Sequence, residues 1–174
     1  MQSLTETAPV LMARYAAYHR DRRNIATHFV GIPLIFMAIA MWLAFPLGSW
    51  GPYGVTGAWL LWALTSFWYV TRGDTLLGVA TAAVNALLVA LAHQLVSQAP
   101  GWGLTGWQLG LLLFVVGWVF QFVGHFWEGR KPAFVDDIVG LLVGPMFVVG
   151  EWLMLLGLLT EMRRTVEAEA GPIR

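Results

Sequence analysis

Apolar residues fill five long segments of the chain, and short polar or turn-forming stretches separate them. The segments run over residues 28–45, 53–70, 75–96, 104–126 and 138–159. A helix needs about 20 mostly apolar residues to cross the hydrocarbon core of a bilayer, so each segment is a candidate span. The pattern predicts an all-α protein: a multi-spanning transmembrane helical bundle of four to five spans, forming one integral membrane domain over residues 1–174.

The fifth segment has two possible paths. Gly144 and Pro145 interrupt its apolar run, and Glu151 lies inside it. The segment could cross with a kink, or it could break into a re-entrant pair that stays on one side. Irregular backbone at that depth is stable only where other parts of the protein cover it. The span count, and with it the side on which the C-terminal residues lie, therefore stays open.

The residues before the first span predict a short helix over residues 8–18. Val10, Leu11, Tyr15 and Tyr18 share one stripe at a spacing of 3.6 residues, which is typical of an amphipathic helix lying at the membrane interface. Residues 1–9 are polar, so we expect no cleavable signal peptide. Residues 48–52 and 98–103 are rich in Gly and Pro and predict turns.

Composition supports a membrane location. The 174 residues are 58% hydrophobic and only 11% charged, whereas ordinary soluble domains are about a quarter charged. Ten tryptophans agree with this reading, because Trp is enriched at membrane interfaces. The net charge is zero, so nothing indicates a nucleic-acid partner. The chain has no Cys, which excludes disulfides, Fe–S clusters and thiolate-bound haem.

Basic residues indicate how the spans are oriented. They cluster before the first span, between the second and third, and after the fourth, at Arg20, Arg22, Arg23, Arg72, Arg130 and Lys131. The turns at the opposite ends carry no charge. Because basic loops stay on the cytoplasmic side, we expect a cytoplasmic N-terminus. The Ala-rich, Lys-poor composition favours a bacterial inner membrane.

Three of the four histidines fall at one membrane face in this topology. His19 and His28 flank the basic segment before the first span, and His125 ends the fourth, whereas His93 lies toward the opposite face. Histidines gathered at one depth by separate elements are typical of a metal site. His19 and His28 would point about 180° apart in one continuous helix, so the helix must break between them. Asn24 is a candidate N-cap for the new helix.

Further polar residues accompany these histidines. Gln121, His125 and Glu128 share one helical face, so Glu128 could bind the same metal or orient the imidazole from behind. Asp137 and Glu151, with Asp136, are carboxylates expected on the same side. Asn85, inside the third span, predicts a hydrogen bond between helices.

Three motifs resemble a known membrane-protein family. They are Tyr15-x-x-Tyr18-His19 followed by Asn24-x-x-x-His28-x-x-x-x-Pro33, then Gly117-Trp118-x-Phe120-Gln121-Phe122-x-Gly124-His125-x-x-x-Gly129-Arg130-Lys131-Pro132-Ala133, and finally Gly144-Pro145-x-Phe147-x-x-x-Glu151. Together they resemble the Mpo-like family of 2-hydroxy fatty acid dioxygenases over nearly the whole chain.

The resemblance implies an activity and a cofactor. Family members carry out an Fe(II)-dependent, O2-consuming α-oxidation that shortens a 2-hydroxy fatty acid by one carbon. His19, His28 and His125 are the implied iron ligands and catalytic residues. The substrate could chelate iron through its carboxylate and hydroxyl, with its alkyl tail among the spans. Arg130 or Lys131 could pair with the carboxylate at the interface, since Arg favours bidentate contact with such groups.

Two other classes remain open, and one is excluded. A b-type haem protein could use His28 and His125 as axial ligands on facing spans. A non-enzymatic small transporter or scaffold would need none of these histidines. A diiron membrane desaturase is excluded, because such proteins carry repeated His boxes and no two histidines here are three or four residues apart.

Overall fold

The computed structural model describes residues 4–50, 53–135 and 137–174. Seven α-helices lie within these residues: α1 (Ala8–Ala16), α2 (Arg22–Trp42), α3 (Gly57–Val70), α4 (Thr75–Gln98), α5 (Gly106–Glu128), α6 (Val139–Leu155) and α7 (Thr160–Ala170). A short antiparallel hairpin, β1 (Pro46–Trp50) with β2 (Tyr53–Thr56), precedes α3. Two 3-10 turns, Ala99–Trp102 and Ala133–Val135, follow α4 and α5.

Within the described ranges, three helices are long and apolar enough to cross a membrane: α2, α4 with its 3-10 extension (Thr75–Trp102), and α5. Helices α6 and α7 together form a fourth candidate, bent by 115° at the break between them. The prediction of an all-α membrane protein is therefore confirmed, with three spans or four when the bent pair is counted. The first, third and fourth apolar segments correspond to α2, α4 and α5.

The second apolar segment is shorter as a helix than the sequence predicts. Its first four residues form strand β2, and α3 begins only at Gly57, where the Thr56 side chain accepts a hydrogen bond from the Trp59 amide. The helix has 14 residues. At 1.5 Å per residue it rises about 21 Å, less than the roughly 30 Å of a hydrocarbon core. It therefore does not qualify as a full span.

The fifth segment does not break at Gly144–Pro145. Helix α6 runs continuously through Pro145, and the chain bends only after Leu155. Gly157 adopts a φ of +76°, and the Gly157 and Leu158 amides donate to the carbonyls of Met154 and Leu153. This is the Schellman arrangement, which ends a helix where a residue without a Cβ enters the left-handed region. The expected break is real, but it lies more than ten residues later.

The helix break between His19 and His28 is confirmed, but Asn24 is not its N-cap. Asp21 takes that place, and its carboxylate accepts hydrogen bonds from the Arg23 amide at 2.8 Å and from the Arg23 guanidinium. These bonds lower the pKa of Asp21 to about 2, so the cap is charged at neutral pH. Asn24 lies in the first turn of α2 and is fully buried.

Helix α1 is covered by other helices. Leu11 and Met12 on it are fully buried, and its contacts are with α6 and α7. The main core cluster joins these residues to Phe147 of α6 and Val166 of α7. The short N-terminal helix is therefore confirmed, and its apolar stripe packs against protein. This packing places the end of α1, and the loop that follows it, beside α6.

Helices α2 and α5 form the most extensive helix pair in the structure. Glycines allow them to approach closely. A Cβ on Gly117 would lie 2.7 Å from Cγ1 of Ile35 and 2.9 Å from the Gly31 carbonyl oxygen, and a Cβ on Gly124 would collide with the Thr27 and Asn24 side chains. Small residues are the usual means by which membrane helices pack without a hydrophobic driving force between them.

Enlarging Gly117 should therefore separate the two helices. We expect Gly117→Leu to lower the free energy of unfolding by about 1–3 kcal/mol, the usual cost of overpacking a close contact. The thermal unfolding midpoint in detergent micelles measures the effect. Val119→Leu is the matched control, because Val119 lies on the same helix and is 54% exposed. Equal midpoints for the two variants would contradict the close packing.

Candidate metal centre

The three histidines predicted to share one face converge in the structure. His19 lies in the loop after α1, His28 in the second turn of α2 and His125 in the last turn of α5. All three are buried, and one ligand nitrogen from each lies within 4.8 Å of the others. Their ring centroids are 4.4 to 5.1 Å apart. Among the described residues this is the group of side chains that could hold a metal ion.

Backbone carbonyls determine which ring nitrogens are free. Nδ1 of His19 lies 2.7 Å from the Tyr15 carbonyl oxygen, and Nδ1 of His28 lies 2.9 Å from the Asn24 carbonyl oxygen. Carbonyls only accept, so both Nδ1 atoms are assigned the proton, and Nε2 of each neutral ring carries a lone pair. The two Nε2 atoms face each other at 2.9 Å.

Two facing lone pairs repel each other unless a proton or a metal ion lies between them. A proton would make one ring an imidazolium, and the site resists that charge. Burial, followed by the neighbouring imidazoles, lowers the pKa of His19 well below 6.5. Nδ1 of His125 is also buried and has no hydrogen-bond partner among the described residues. Three buried imidazoles with ligand nitrogens this close together fit a bound transition-metal ion.

Two aromatic rings pack against the His19 imidazole. Tyr15, one helical turn earlier, stacks on it with ring centroids 4.3 Å apart and planes 8° from parallel. Phe147 of α6 lies 5.2 Å away on centroids. Burial raises the pKa of Tyr15 above its usual range, so its hydroxyl stays protonated even at alkaline pH. The ring orientation of His19 is therefore set by packing as well as by its hydrogen bond.

Glu128 lies outside the histidine group. Its side chain is 1% exposed, and one oxygen accepts from the amides of Arg20 and Asp21 at 2.9 and 2.7 Å and from the Asn24 side chain at 3.1 Å. Its other oxygen accepts from Arg174 at 3.1 Å. The carboxylate is thus occupied in holding the loop that carries His19 and the first turn of α2. It supports two of the three histidines and lies one turn after the third.

Residues 171–174 pair with the same loop. The Arg174 amide donates to the Arg20 carbonyl and the Arg22 amide donates to the Arg174 carbonyl, at 2.7 and 3.0 Å. The Arg20 guanidinium donates to the Gly171 carbonyl at 2.9 Å. Its remaining nitrogen lies 3.8 Å from the buried Glu151 carboxylate. His19 is the one histidine of the group outside a long helix, and these contacts fix its loop.

The other residues singled out in the sequence lie farther from the histidines or at the surface. Asp137 accepts from the Val139 amide at 3.1 Å at the start of α6, and Asp136 lies outside the described residues. Arg130 donates to the Ala17 carbonyl at 2.7 Å, and Lys131 is exposed beside it. The structure therefore uses Asp137 at a helix start and Arg130 to contact the residues before His19.

Asn85 and His93 belong to other parts of the bundle. Asn85 is buried on α4 and interacts with the Tyr69 side chain of α3, as expected for a polar residue between membrane helices. Its Nδ2 atom has no partner in the described part of the chain. His93 shares a hydrogen bond of 3.0 Å with the Thr56 hydroxyl at the end of the hairpin. It is apart from the other three histidines, as the topology predicts.

An apolar cavity of about 310 Å³ opens beside the histidines. His28 and His125 line one end, and the walls come from α2, α5 and α6, including Ile32, Phe36 and Trp118. Pockets for small ligands span roughly 300–1,000 Å³, and this one fits that range. The predicted residue Gln121 also lines it, buried, with its amide nitrogen unpaired in the described structure.

Sequence reasoning missed two contributors to this site. Tyr15 precedes His19 by four residues, a spacing that puts both on one helical face and could have indicated the stacking. Arg174 gives no comparable signal, because its contact with Glu128 joins residues 46 apart. The cavity is likewise invisible in the sequence, since it depends on how α2, α5 and α6 diverge.

Comparisons with known proteins bear on this site. A family model described as "Mpo1-like: 2-hydroxy-palmitic acid dioxygenase Mpo1-like" matches residues 5–156. The chain is also similar to a curated protein, 2-hydroxy-palmitic acid dioxygenase MPO1 of Saccharomyces cerevisiae. The two are 29% identical over 158 residues, which cover 88% of this chain and 83% of that protein. No solved structure matches the chain.

Removing the Glu128 carboxylate should disturb the candidate metal centre indirectly, through the loop and the helix turn that position His19 and His28. We expect Glu128→Ala to weaken Co(II) binding about 10–100-fold, the usual effect of losing a group that supports metal ligands, with Glu128→Gln intermediate. A Co(II) titration followed by visible absorption measures this. Glu161→Ala is the control, because that side chain is 81% exposed. Unchanged Co(II) affinity in Glu128→Ala would contradict the supporting role.

Proposed function

This chain belongs to the Mpo1-like family of 2-hydroxy-palmitic acid dioxygenases, and from that premise we propose that it is an Fe(II)-dependent dioxygenase of 2-hydroxy fatty acids. The reaction is α-oxidation: the 2-hydroxy acid and O2 give a fatty acid one carbon shorter, while the carboxyl carbon leaves as CO2 and the remaining atoms as water. The observation that carries the proposal is the convergence of three buried imidazoles, two of which, those of His28 and His125, line one end of an apolar cavity.

His19, His28 and His125 are the proposed iron ligands and catalytic residues. Imidazole ligands suit iron, copper, nickel and zinc alike, so the residues alone do not choose the metal. Zinc has no redox chemistry, and consumption of O2 needs a redox-active ion. When bound, Fe(II) would supply the activation of O2. Three protein ligands leave coordination positions for O2 and for the substrate.

The cavity would hold the alkyl chain of the substrate. Its walls are mostly apolar, so they can replace the bilayer around a hydrocarbon tail. The substrate's carboxylate and hydroxyl would then meet the imidazoles of His28 and His125 at the polar end. A long-chain acid already resides in the bilayer, and the cavity lies among the membrane helices.

Gln121 and Tyr15 are the proposed polar contacts to the substrate head. Both line the cavity beside the histidines, and the unpaired amide nitrogen of Gln121 can donate to a carboxylate or hydroxyl oxygen. Asn24 is proposed to act on the substrate only through His28, because its backbone carbonyl fixes the Nδ1 proton of that ring. Arg130 and Lys131 lie at the surface next to His125 and are proposed to attract the carboxylate as it approaches.

We further propose that this end of the bundle lies at the cytoplasmic face of a bacterial inner membrane. The basic residues that flank the spans gather at the same end as the histidines, as the positive-inside rule requires of a cytoplasmic face. The bilayer would then supply the substrate, and the cytoplasm would receive the polar products.

The alternative of a b-type haem fits this geometry poorly. Axial ligands must face each other across a flat macrocycle, but the His19 ring lies within 5 Å of both His28 and His125 on centroids. It occupies the space that a porphyrin would need. A transporter or scaffold would not require uncompensated imidazoles, and the variants below distinguish it from an enzyme.

Replacing His19, His28 or His125 by Ala should remove both iron and activity. We expect each single variant to lose bound iron and to slow O2 uptake on 2-hydroxypalmitate more than about 100-fold, because even groups behind a ligand contribute 10–100-fold. Metal analysis of the purified protein and an oxygen electrode measure the two effects. His93→Ala is the matched control and should retain both iron and activity.

Two outcomes would refute this proposal. One is purified protein that contains zinc or no metal and consumes no O2 with 2-hydroxypalmitate after Fe(II) is added. The other is a haem absorption band that accounts for the activity. Full function in the three histidine variants would instead favour a transporter or scaffold.

Gln121 should matter for the substrate and not for the metal. We expect Gln121→Leu, which is close in volume, to raise KM for 2-hydroxypalmitate about tenfold, the effect of losing one hydrogen bond to a charged group. Iron content should stay unchanged. Steady-state kinetics with parallel metal analysis tests this, and loss of iron in Gln121→Leu would assign the residue to the metal centre instead.

A further inference from the structure

A second apolar cavity adjoins the one beside the histidines. It measures about 280 Å³ and lies among α2, α3, α4 and α6. Phe36 and Ile39 of α2 and Leu141 and Pro145 of α6 line both cavities, so these four side chains form the boundary between them. We call them the boundary residues. Beyond them the second cavity is walled by residues such as Thr65 of α3 and Val89 of α4.

The polar atoms in the second cavity are already paired. The Thr65 hydroxyl donates to the Leu61 carbonyl at 2.9 Å, and the Tyr69 hydroxyl donates to the Leu142 carbonyl at 2.9 Å. The Trp62 indole donates to the Ala82 carbonyl at 2.8 Å. No residue found to line this cavity carries a charge. Such a space offers nothing to a polar ligand and suits a hydrocarbon chain.

The first cavity is short for a long-chain acid. On α2 it extends from His28 to Ile39, eleven residues further along, which corresponds to a rise of roughly 16 Å. A fully extended palmitoyl chain is longer than that rise. The distal end of the chain must therefore leave the first cavity, either past the boundary residues or sideways into the bilayer.

We propose that the second cavity binds the distal end of the substrate's acyl chain and that the boundary residues set the preferred chain length. The inference rests on the proposed function for the identity of the ligand. Short 2-hydroxy acids fit the first cavity alone. Longer ones gain binding energy by passing between Phe36 and Ile39 on one side and Leu141 and Pro145 on the other.

Filling the second cavity should penalise long substrates selectively. We expect Thr65→Trp to lower kcat/KM for 2-hydroxypalmitate about tenfold relative to 2-hydroxydecanoate, the effect of one or two methylenes losing their burial. Leu64→Trp is the matched control, because Leu64 is the adjacent residue on α3 and is 63% exposed. That control should leave the ratio of the two substrates unchanged.

Opening the boundary should act in the opposite direction. Phe36→Ala removes the largest of the boundary side chains and joins the two cavities. We expect it to shift the preference toward chains longer than palmitate, with iron content unchanged. If the chain-length ratio stays at the wild-type value in both Thr65→Trp and Phe36→Ala, the distal chain does not lie in the second cavity.

A binding measurement separates this inference from the proposed activity. The probe is 2-hydroxyhexadecanoic acid with a photoreactive diazirine at its methyl end, crosslinked to the wild-type protein in phosphatidylglycerol-containing vesicles and mapped by mass spectrometry. Labelling of Val89 in the wild-type protein, diminished in Thr65→Trp, supports the second cavity even if no turnover is found. Labelling confined to lipid-facing residues such as Leu64 and Phe67 would overturn the inference, whether or not the enzyme is active.

Discussion

The opposed Nε2 atoms of His19 and His28, 2.9 Å apart, impose the central constraint on this structure. Two lone pairs held that close in a buried site are stable only when the surrounding protein prevents the rings from turning away. Carbonyls of Tyr15 and Asn24 fix the rings, and the close approach of α2 and α5 brings His125 to them. Glu128 joins the loop to both helices. The glycines between α2 and α5 therefore stabilise the fold and also bring His28 and His125 close together.

The location of the site could be predicted from the sequence because it depends on depth in the membrane. Apolar segments and basic loops give each residue an approximate depth in the membrane. Of the four histidines, His19, His28 and His125 lie at the same predicted depth and His93 does not. The role of Glu128 could not be predicted in the same way, because a carboxylate on the histidine face can bind a metal or accept from amides. Three of its partners lie more than 100 positions earlier in the chain and Arg174 lies 46 positions later, so no local pattern indicates them.

Some helix boundaries could be predicted from local sequence, and others depend on neighbouring helices. The capping box at Thr105 and Gln108 starts α5 within two residues of the predicted span, since a local signal decides it. Of the two paths left open for the fifth segment, a break at Gly144–Pro145 does not occur, since α6 continues through Pro145. A proline removes one amide and crowds one carbonyl, and neighbouring helices in a membrane bundle can accommodate both effects. Pro145 lies instead at the cavity walls, where the missing amide leaves no donor facing hydrocarbon.

The pairing of residues 171–174 with the loop around Arg20 has a consequence for biosynthesis. The two segments are separated by 151 residues in the chain, so the ribosome completes the first long before it makes the second. All the long helices are synthesised in between. The loop that carries His19 therefore acquires its last hydrogen bonds only after the bundle has been inserted. The histidine cluster therefore takes its final arrangement late, when the membrane domain is complete rather than when its first helix is inserted.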